Sequence, residues 1–190
     1  MSADEIVSHY ITHYRDAASA EMRFYQIHSS ASAAIHKAAL CILPSGKRHP
    51  HQRRIPKVVL EKVEARLQLA EKKLAKTSDF AVLHELVERE TSSIHGIGAL
   101  TIYDISHRLG AYFGHVPELV YLHAGTKSGA ALLGLKGDSI DPEELPGAFS
   151  RLTCAEIEDC LCIYRNDLLK ARRTQKSSCR SQRKSICYLR

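Results

Sequence analysis

Apolar residues recur at steps of three and four along most of this chain, and no segment alternates apolar with polar residues over the length of a strand. Residues 3–26 show the pattern clearly, with apolar positions at Val7, Tyr10, Ile11, Tyr14, Ala18, Met22 and Tyr25. Such spacing places the apolar side chains on one face of an α-helix. The sequence therefore predicts an all-α fold of seven or eight helices around one core.

The same periodicity and the capping signals set the expected helix boundaries. Further helices are predicted over residues 29–43, 57–76, 79–91 and 154–171, and two short ones within 116–137, broken near Gly125. Polar residues suited to helix N-termini precede three of the helices: Ser2, Ser78 or Asp79, and Thr153 with Glu156 as a capping box. The sequence thus predicts a single helical domain over residues 1–171.

Prolines interrupt the helical pattern once within the first half of the chain. Pro44, Pro50 and Pro56, together with Gly46, exclude an α-helix and predict an exposed loop over residues 44–56. His49 and His51 lie in this loop, and we expect them to add positive charge below neutral pH.

The net charge of +6 over 190 residues is concentrated in two segments that contain no acidic residue. One holds Lys47, Arg48, Arg53, Arg54 and Lys57, and eight more basic residues follow Asp167. The rest of the chain has 14 basic residues against 21 acidic ones. This segregation favours binding to a polyanion, nucleic acid before an acidic membrane surface, although a solubilising role is the alternative. Residues 172–190 are expected to form a disordered basic tail.

Several other classes of protein are disfavoured by composition. No apolar run approaches the roughly 20 residues of a membrane-spanning helix, and the first residues do not resemble a signal peptide, so we expect a cytoplasmic protein. The six cysteines form no CxxC pair and are expected to be reduced. Most of Cys154, Cys160 and Cys162, which lie on one predicted helix, are expected to be buried as small apolar side chains. Glu5, His9 and His13 share one helical stripe, but a solvated face is the simpler interpretation. No metal site and no cofactor are predicted.

The segment Ile94-His95-Gly96-Ile97-Gly98-Ala99-Leu100-Thr101 lies between two predicted amphipathic helices. Its two glycines permit a tight reversal with positive φ, and Ile97 is placed to anchor the turn in the core. The backbone N–H groups after Gly98 then begin a helix, which is a favourable place for a phosphate oxygen.

This pattern of apolar, any residue, Gly, apolar, Gly, two residues and Thr resembles the helix-hairpin-helix family of DNA-binding motifs, over about residues 80–114. The resemblance implies that the amides from Gly96 and Gly98 through Thr101 contact the DNA backbone without reading sequence. His95 would add a contact that depends on its protonation. A simple turn between two packed helices is the alternative.

A more distant resemblance extends to the all-helical DNA glycosylase superfamily, which follows the hairpin with a catalytic Asp and, in one branch, uses a Lys before the Thr. Phe113-Gly114 and Val120-Tyr121-Leu122-His123 align with that pattern. Tyr121 then occupies the Asp position and Leu100 the Lys position. Neither residue supports the glycosylase chemistry, and Glu118 is out of register.

These observations predict a small protein that binds duplex DNA through its phosphate backbone with low sequence specificity. The expected DNA-contacting residues are the hairpin segment (His95, Gly96, Ile97, Gly98, Ala99, Leu100 and Thr101) and the loop cations (Lys47, Arg48, Arg53, Arg54 and Lys57). Two alternatives remain: a protein-interaction adaptor, and a diverged glycosylase-type enzyme. No catalytic residue is predicted.

Overall fold

The computed structural model describes residues 1–168, which are mostly helical, so the predicted all-α class is confirmed. The α-helices are α1 (Ala3–His13), α2 (Arg15–Gln26), α3 (Ala31–Ala39), α4 (Lys57–Leu69), α5 (Glu71–Leu74), α6 (Phe80–Thr91), α7 (Ala99–Phe113), α8 (Ala124–Leu132) and α9 (Cys154–Ile163). Short 3-10 turns lie at Pro50–Gln52, Pro142–Glu144 and Gly147–Arg151. The predicted tail, residues 172–190, lies outside the described residues.

The capping signals are confirmed where the structure tests them. Ser2 and Glu5 form a reciprocal capping box at the start of α1, and Thr153 with Glu156 forms another at α9. The Asp79 carboxylate accepts a hydrogen bond from the Val82 amide at the start of α6. These side chains satisfy backbone amides that have no partner within the helix.

Five predicted helices differ from the structure. The helices predicted over 29–43 and 154–171 are shorter, since α3 ends at Ala39 and α9 at Ile163. The helix over residues 3–26 breaks at Tyr14, whose φ of −124° departs from helical geometry, and the helix over 57–76 breaks at Ala70. The first short helix expected within 116–137 is instead strand β1 (Val120–Tyr121), which pairs antiparallel with β2 (Ser139–Ile140). Pairing between distant segments overrides local helix preference at this point.

The described chain divides into two compact units, each with its own cluster of buried apolar side chains, where the sequence had suggested one core. The first unit combines residues 1–15 with the described residues from 119 to 168. In it, α1 packs on α9 and on the turn Gly147–Arg151, and α8 packs on α9. Gly129 allows that approach, because a Cβ there would collide with the Leu161 carbonyl. The apolar periodicity of α1 predicts a helix but does not indicate which part of the chain that helix packs against.

The second unit spans residues 16–118 and contains both segments singled out for DNA binding. Helix α3 packs on α4 and α7, while α6 packs on α7 and α4. The core between these helices includes Val63, Leu67, Leu83, Ile105 and Leu109, all fully buried. The loop over 44–56 and the turn between α6 and α7 are therefore held on a common helical framework.

Candidate nucleic-acid interface and a buried charged cluster

Helices α6 and α7 are joined by a tight turn over residues 92–98. The Ile97 amide donates to the Ile94 carbonyl at 3.1 Å and closes the turn. Ile94 and Ile97 are partly buried and pack against the core of the 16–118 unit. The predicted role of Ile97 as an apolar anchor is confirmed.

The two glycines of this turn have different backbone conformations. Gly96 has a φ of +94°, in the region that L-residues with side chains rarely adopt. Gly98 has φ −116° and ψ 174°, because it is the N-cap of α7, where extended backbone is normal. The expectation of positive φ is thus confirmed for Gly96 and wrong for Gly98. A Cβ on Gly98 would have no other atom within 4 Å.

The first turn of α7 begins beside the open space at Gly98. The first intrahelical bond runs from the Ile102 amide to the Gly98 carbonyl at 3.1 Å, and no side chain caps the helix. The amides of Ala99, Leu100 and Thr101 come before the first intrahelical bond and so have no acceptor within the helix. Ala99 is exposed, Leu100 is half-buried and Thr101 is buried. His95, within the turn, is exposed.

The turn lies beside the start of α4. A Cβ built on Gly96 would lie 3.8 Å from Val59 Cγ1, an ordinary van der Waals contact, so the Val59 side chain lies beside the turn. Helix α4 has Pro56 as its N-cap and no side-chain cap. Helices α4 and α7 thus both begin without a side-chain cap, and both belong to the 16–118 unit. The exposed Lys57 lies two residues before Val59.

The basic loop is ordered by its own backbone hydrogen bonds. Ile42 and Arg48 form an antiparallel bridge, and the His49 amide donates to the Cys41 carbonyl at 2.8 Å. Arg48 is partly buried and donates from Nη1 to the Ile55 carbonyl at 2.7 Å. The structure thus gives Arg48 an internal partner, whereas the other predicted cations are exposed: Lys47, Arg53, Arg54 and Lys57.

Behind this loop lies a charged cluster, which we define as Glu21, His49, His51, Gln52, Asp104 and Arg108. Arg108 is 3% exposed, with Nε 3.8 Å from Glu21 Oε1 and Nη2 3.7 Å from Asp104 Oδ2. The three loop residues reach the carboxylates: Gln52 Nε2 donates to Asp104 Oδ2 at 2.6 Å, His51 Nδ1 lies 3.6 Å from Asp104 Oδ2, and His49 Nε2 lies 3.9 Å from Glu21 Oε2. The basic loop is therefore held against α2 and α7 by polar side chains.

Burial and the Arg108 charge set the protonation of this cluster. Burial raises the pKa of Glu21, which the nearby guanidinium opposes. Burial also opposes ionisation of Asp104, but the His51 ring, Arg108 and Gln52 outweigh it and lower the pKa of Asp104 to about 2. Burial, with Arg108, lowers the pKa of His49 to about 4. The expectation that His49 gains charge just below neutral pH is therefore wrong, because its ring is desolvated.

The positions aligned with the glycosylase pattern have structural roles in the described residues. Tyr121 lies in strand β1 and Leu100 in the first turn of α7. His123, at the N-cap of α8, is buried and in close contact with the Glu158 carboxylate. Gly114 ends α7 with a φ of +80°. A His–carboxylate pair thus exists near this segment, with Glu158 supplied by α9.

The other candidate ligands of the sequence have local partners. Glu5 caps α1 through the Ser2 amide, and His9 Nδ1 is hydrogen-bonded to the Tyr164 hydroxyl at 2.7 Å. Cys160 is fully buried, as expected, but Cys154 and Cys162 are only partly buried, so the expectation that most of these three are buried is wrong. Cys41 is also fully buried. Burial raises the pKa of the Cys41 thiol to about 11. These groups serve the packing of the helices that carry them.

Comparison with models of protein families, with curated proteins and with solved structures finds no match. Within residues 1–168, every helix is too short or too polar to cross a lipid bilayer. Function is therefore inferred from the geometry and charge of the 16–118 unit itself.

Proposed function

We propose that this protein binds duplex DNA through the phosphate backbone, using the turn before α7 and the basic loop before α4. The observation that carries the proposal is the start of α7, where no side chain caps the helix and Gly98 leaves open space in front of the first amides. The Val59 side chain of α4 lies beside the same turn, and the basic loop leads into α4. The resemblance to the helix-hairpin-helix pattern points to the same segment.

The physical basis is the combination of backbone amides and exposed cations. The N-terminus of a helix carries positive partial charge and N–H groups directed at a ligand. At α7, Gly98 leaves open space in front of those groups. Lys47, Arg53, Arg54 and Lys57 are exposed, and the loop contains no acidic residue, whereas Lys57 at the start of α4 pairs with Glu61 at 3.1 Å. Contacts of this kind position a duplex and carry no base information, so low sequence specificity follows.

The test measures duplex DNA binding by the full chain at a series of salt concentrations, with fluorescence anisotropy as the readout. If about five to eight phosphates are neutralised, log K should fall against log salt with a slope between about −4 and −7. Several unrelated duplex sequences should bind with similar affinity. No binding at low salt, or a flat response to salt, would exclude the proposal and favour a role in protein interaction.

A further inference from the structure

We propose that His49, His51 and Asp104 bind one divalent transition-metal ion, for which Zn²⁺ is the representative. Each residue offers one ligand atom, and these atoms all lie within 4.8 Å of one another. Two imidazoles and a carboxylate form a ligand set that transition metals of this class accept. The site is independent of the proposed DNA contacts, since it uses side chains behind the loop and not its exposed cations.

The separations between these groups suit ligands around a shared ion. Ligand atoms at about 2.1 Å from a tetrahedral ion are about 3.4 Å apart, and wider angles extend this to about 4 Å. His51 Nδ1 and Asp104 Oδ2 are 3.6 Å apart. The rings of His49 and His51 have centroids 4.7 Å apart. Small side-chain rotations would bring all three groups onto one ion.

Glu21 lies beside one of the proposed ligands. Its Oε1 faces Arg108 at 3.8 Å, while its Oε2 lies 3.9 Å from His49 Nε2. The carboxylate therefore presents one oxygen to the guanidinium and the other to His49. We assign Glu21 as the acceptor for a metal-bound water.

The charge of the cluster favours a cation. Glu21 and Asp104 are two carboxylates, and Arg108 is the cation paired with both. Neither pair is at hydrogen-bond distance, and Arg108 Nη1 is a buried atom without a hydrogen-bond partner. Buried charges are stabilised only when they are well paired. Two carboxylates against one guanidinium leave a net negative charge, which attracts a cation to this site.

The surrounding structure fixes the ligands from behind. Gln52 Nε2 donates to Asp104 Oδ2 at 2.6 Å and sets the orientation of that carboxylate. The His49 backbone is held by the hydrogen bond of its amide to the Cys41 carbonyl at 2.8 Å. Hydrogen bonds that orient ligands are a regular feature of metal sites and contribute to affinity. A bound ion would link the basic loop to α7.

The test is Zn²⁺ binding to the chelator-treated full chain, measured by isothermal titration calorimetry without DNA. Because the chain has other histidines and cysteines, the readout is the difference between variants. His51→Gln is the main variant, since the His51 side chain is 49% exposed and its loss should leave the fold intact. His13→Gln, an exposed histidine on α1, is the matched control.

We expect the parent and His13→Gln to bind one Zn²⁺ equivalent that His51→Gln and His49→Gln lose or bind at least tenfold more weakly. Zn²⁺ should also raise the melting temperature of the parent and not that of His51→Gln. Equal stoichiometry and affinity in all four proteins would overturn the proposal. If His49→Gln fails to fold by circular dichroism, the His51→Gln result decides. Neither outcome depends on DNA binding, so the two proposals fail separately.

Discussion

Arg108 Nη2 lies 3.7 Å from Asp104 Oδ2, one turn earlier on α7, and the same guanidinium lies 3.8 Å from Glu21. This cation holds two carboxylates inside the 16–118 unit. Arg108→Met should destabilise the protein by about 3–5 kcal/mol, because it leaves buried charge uncompensated. Urea denaturation measures the loss. Arg89→Met, at an exposed position of α6, is the control and should change stability by no more than about 0.5 kcal/mol.

Adding Glu21→Gln to Arg108→Met should recover part of the lost stability, because it removes one of the uncompensated charges. If Arg108→Met and Arg89→Met cost the same, the buried cluster contributes little to folding and its charges are solvated.

The glycines of the turn before α7 should respond differently to alanine. Gly96, with φ +94°, has room for a Cβ but the wrong backbone conformation, so Gly96→Ala should cost about 1–2 kcal/mol. Gly98 is extended and open, so Gly98→Ala meets no backbone strain and should cost about 0.5–1 kcal/mol, through the loss of a favourable N-cap residue. Thermal denaturation of both variants checks the difference. Equal costs would show that the backbone of the turn is not as described.

Gly98→Val isolates the proposed phosphate contact. Its side chain would project into open space at the start of α7, and its extended backbone suits a β-branched residue. We expect near-parental melting with duplex DNA affinity reduced at least tenfold, since the valine occupies the approach to the amides. Fluorescence anisotropy at a fixed low salt concentration measures the DNA affinity. Parental affinity in a folded Gly98→Val variant would make this turn purely structural and leave the loop cations to bind DNA.

The loop cations should determine the salt dependence. Arg53→Ala with Arg54→Ala removes two exposed charges and should reduce the magnitude of the salt slope by about 2. Lys72→Ala with Lys76→Ala removes the same charge from exposed positions in and after α5. This charge-matched pair should leave the slope unchanged. Identical effects of the two pairs would mean that net charge alone governs binding.

Low pH should remove a stabilising interaction in the unit formed by residues 1–15 and 119–168. Burial opposes ionisation of Glu156, but hydrogen bonds from Arg15 and the Thr153 amide prevail and lower the pKa of Glu156. The pKa of Glu156 is lower in the folded state than in the unfolded state. Ionised Glu156 therefore stabilises the fold fully at pH values above its unfolded pKa of about 4.3. This stabilisation is lost as the pH falls through the pKa of the folded state. Glu156→Gln should therefore lose stability at pH 7 and show a shallower decline between about pH 5 and 3.

Urea denaturation across that pH range provides the measurement. Arg15→Met removes the other partner of this ion pair, because Arg15 Nε donates to Glu156 Oε1 at 2.6 Å. It should likewise make the decline in stability between about pH 5 and 3 shallower. If both variants keep the parental pH profile, other carboxylates account for the acid loss.

Local signals predicted much of the fold, because helix starts are set by nearby residues. Ser2, Asp79 and Thr153 each cap the helix expected of them. The turn at Gly96 was also predictable, since its amides, apolar anchor and glycines are contiguous. The conformation of Gly98 was not, because the same spacing is compatible with either a positive-φ turn or an N-cap.

The charged cluster had almost no sequence signal. Asp104 and Arg108 are spaced as an i,i+4 pair, which is usually a feature of exposed helix faces. Their burial depends on Glu21 from α2 and on His49 and His51 from the loop, which only the tertiary fold brings together. The pairing of strands β1 and β2 was missed for the same reason.

The division into two units has a consequence for synthesis on the ribosome. Residues 16–118 form a contiguous unit, so all its packing partners have emerged once residue 118 clears the exit tunnel. Helix α1 is made earlier but packs on α9 and Gly147–Arg151, so its apolar face lacks these partners until residues 147–163 have been synthesised. The burial of α1 against them is therefore completed after that of the 16–118 unit.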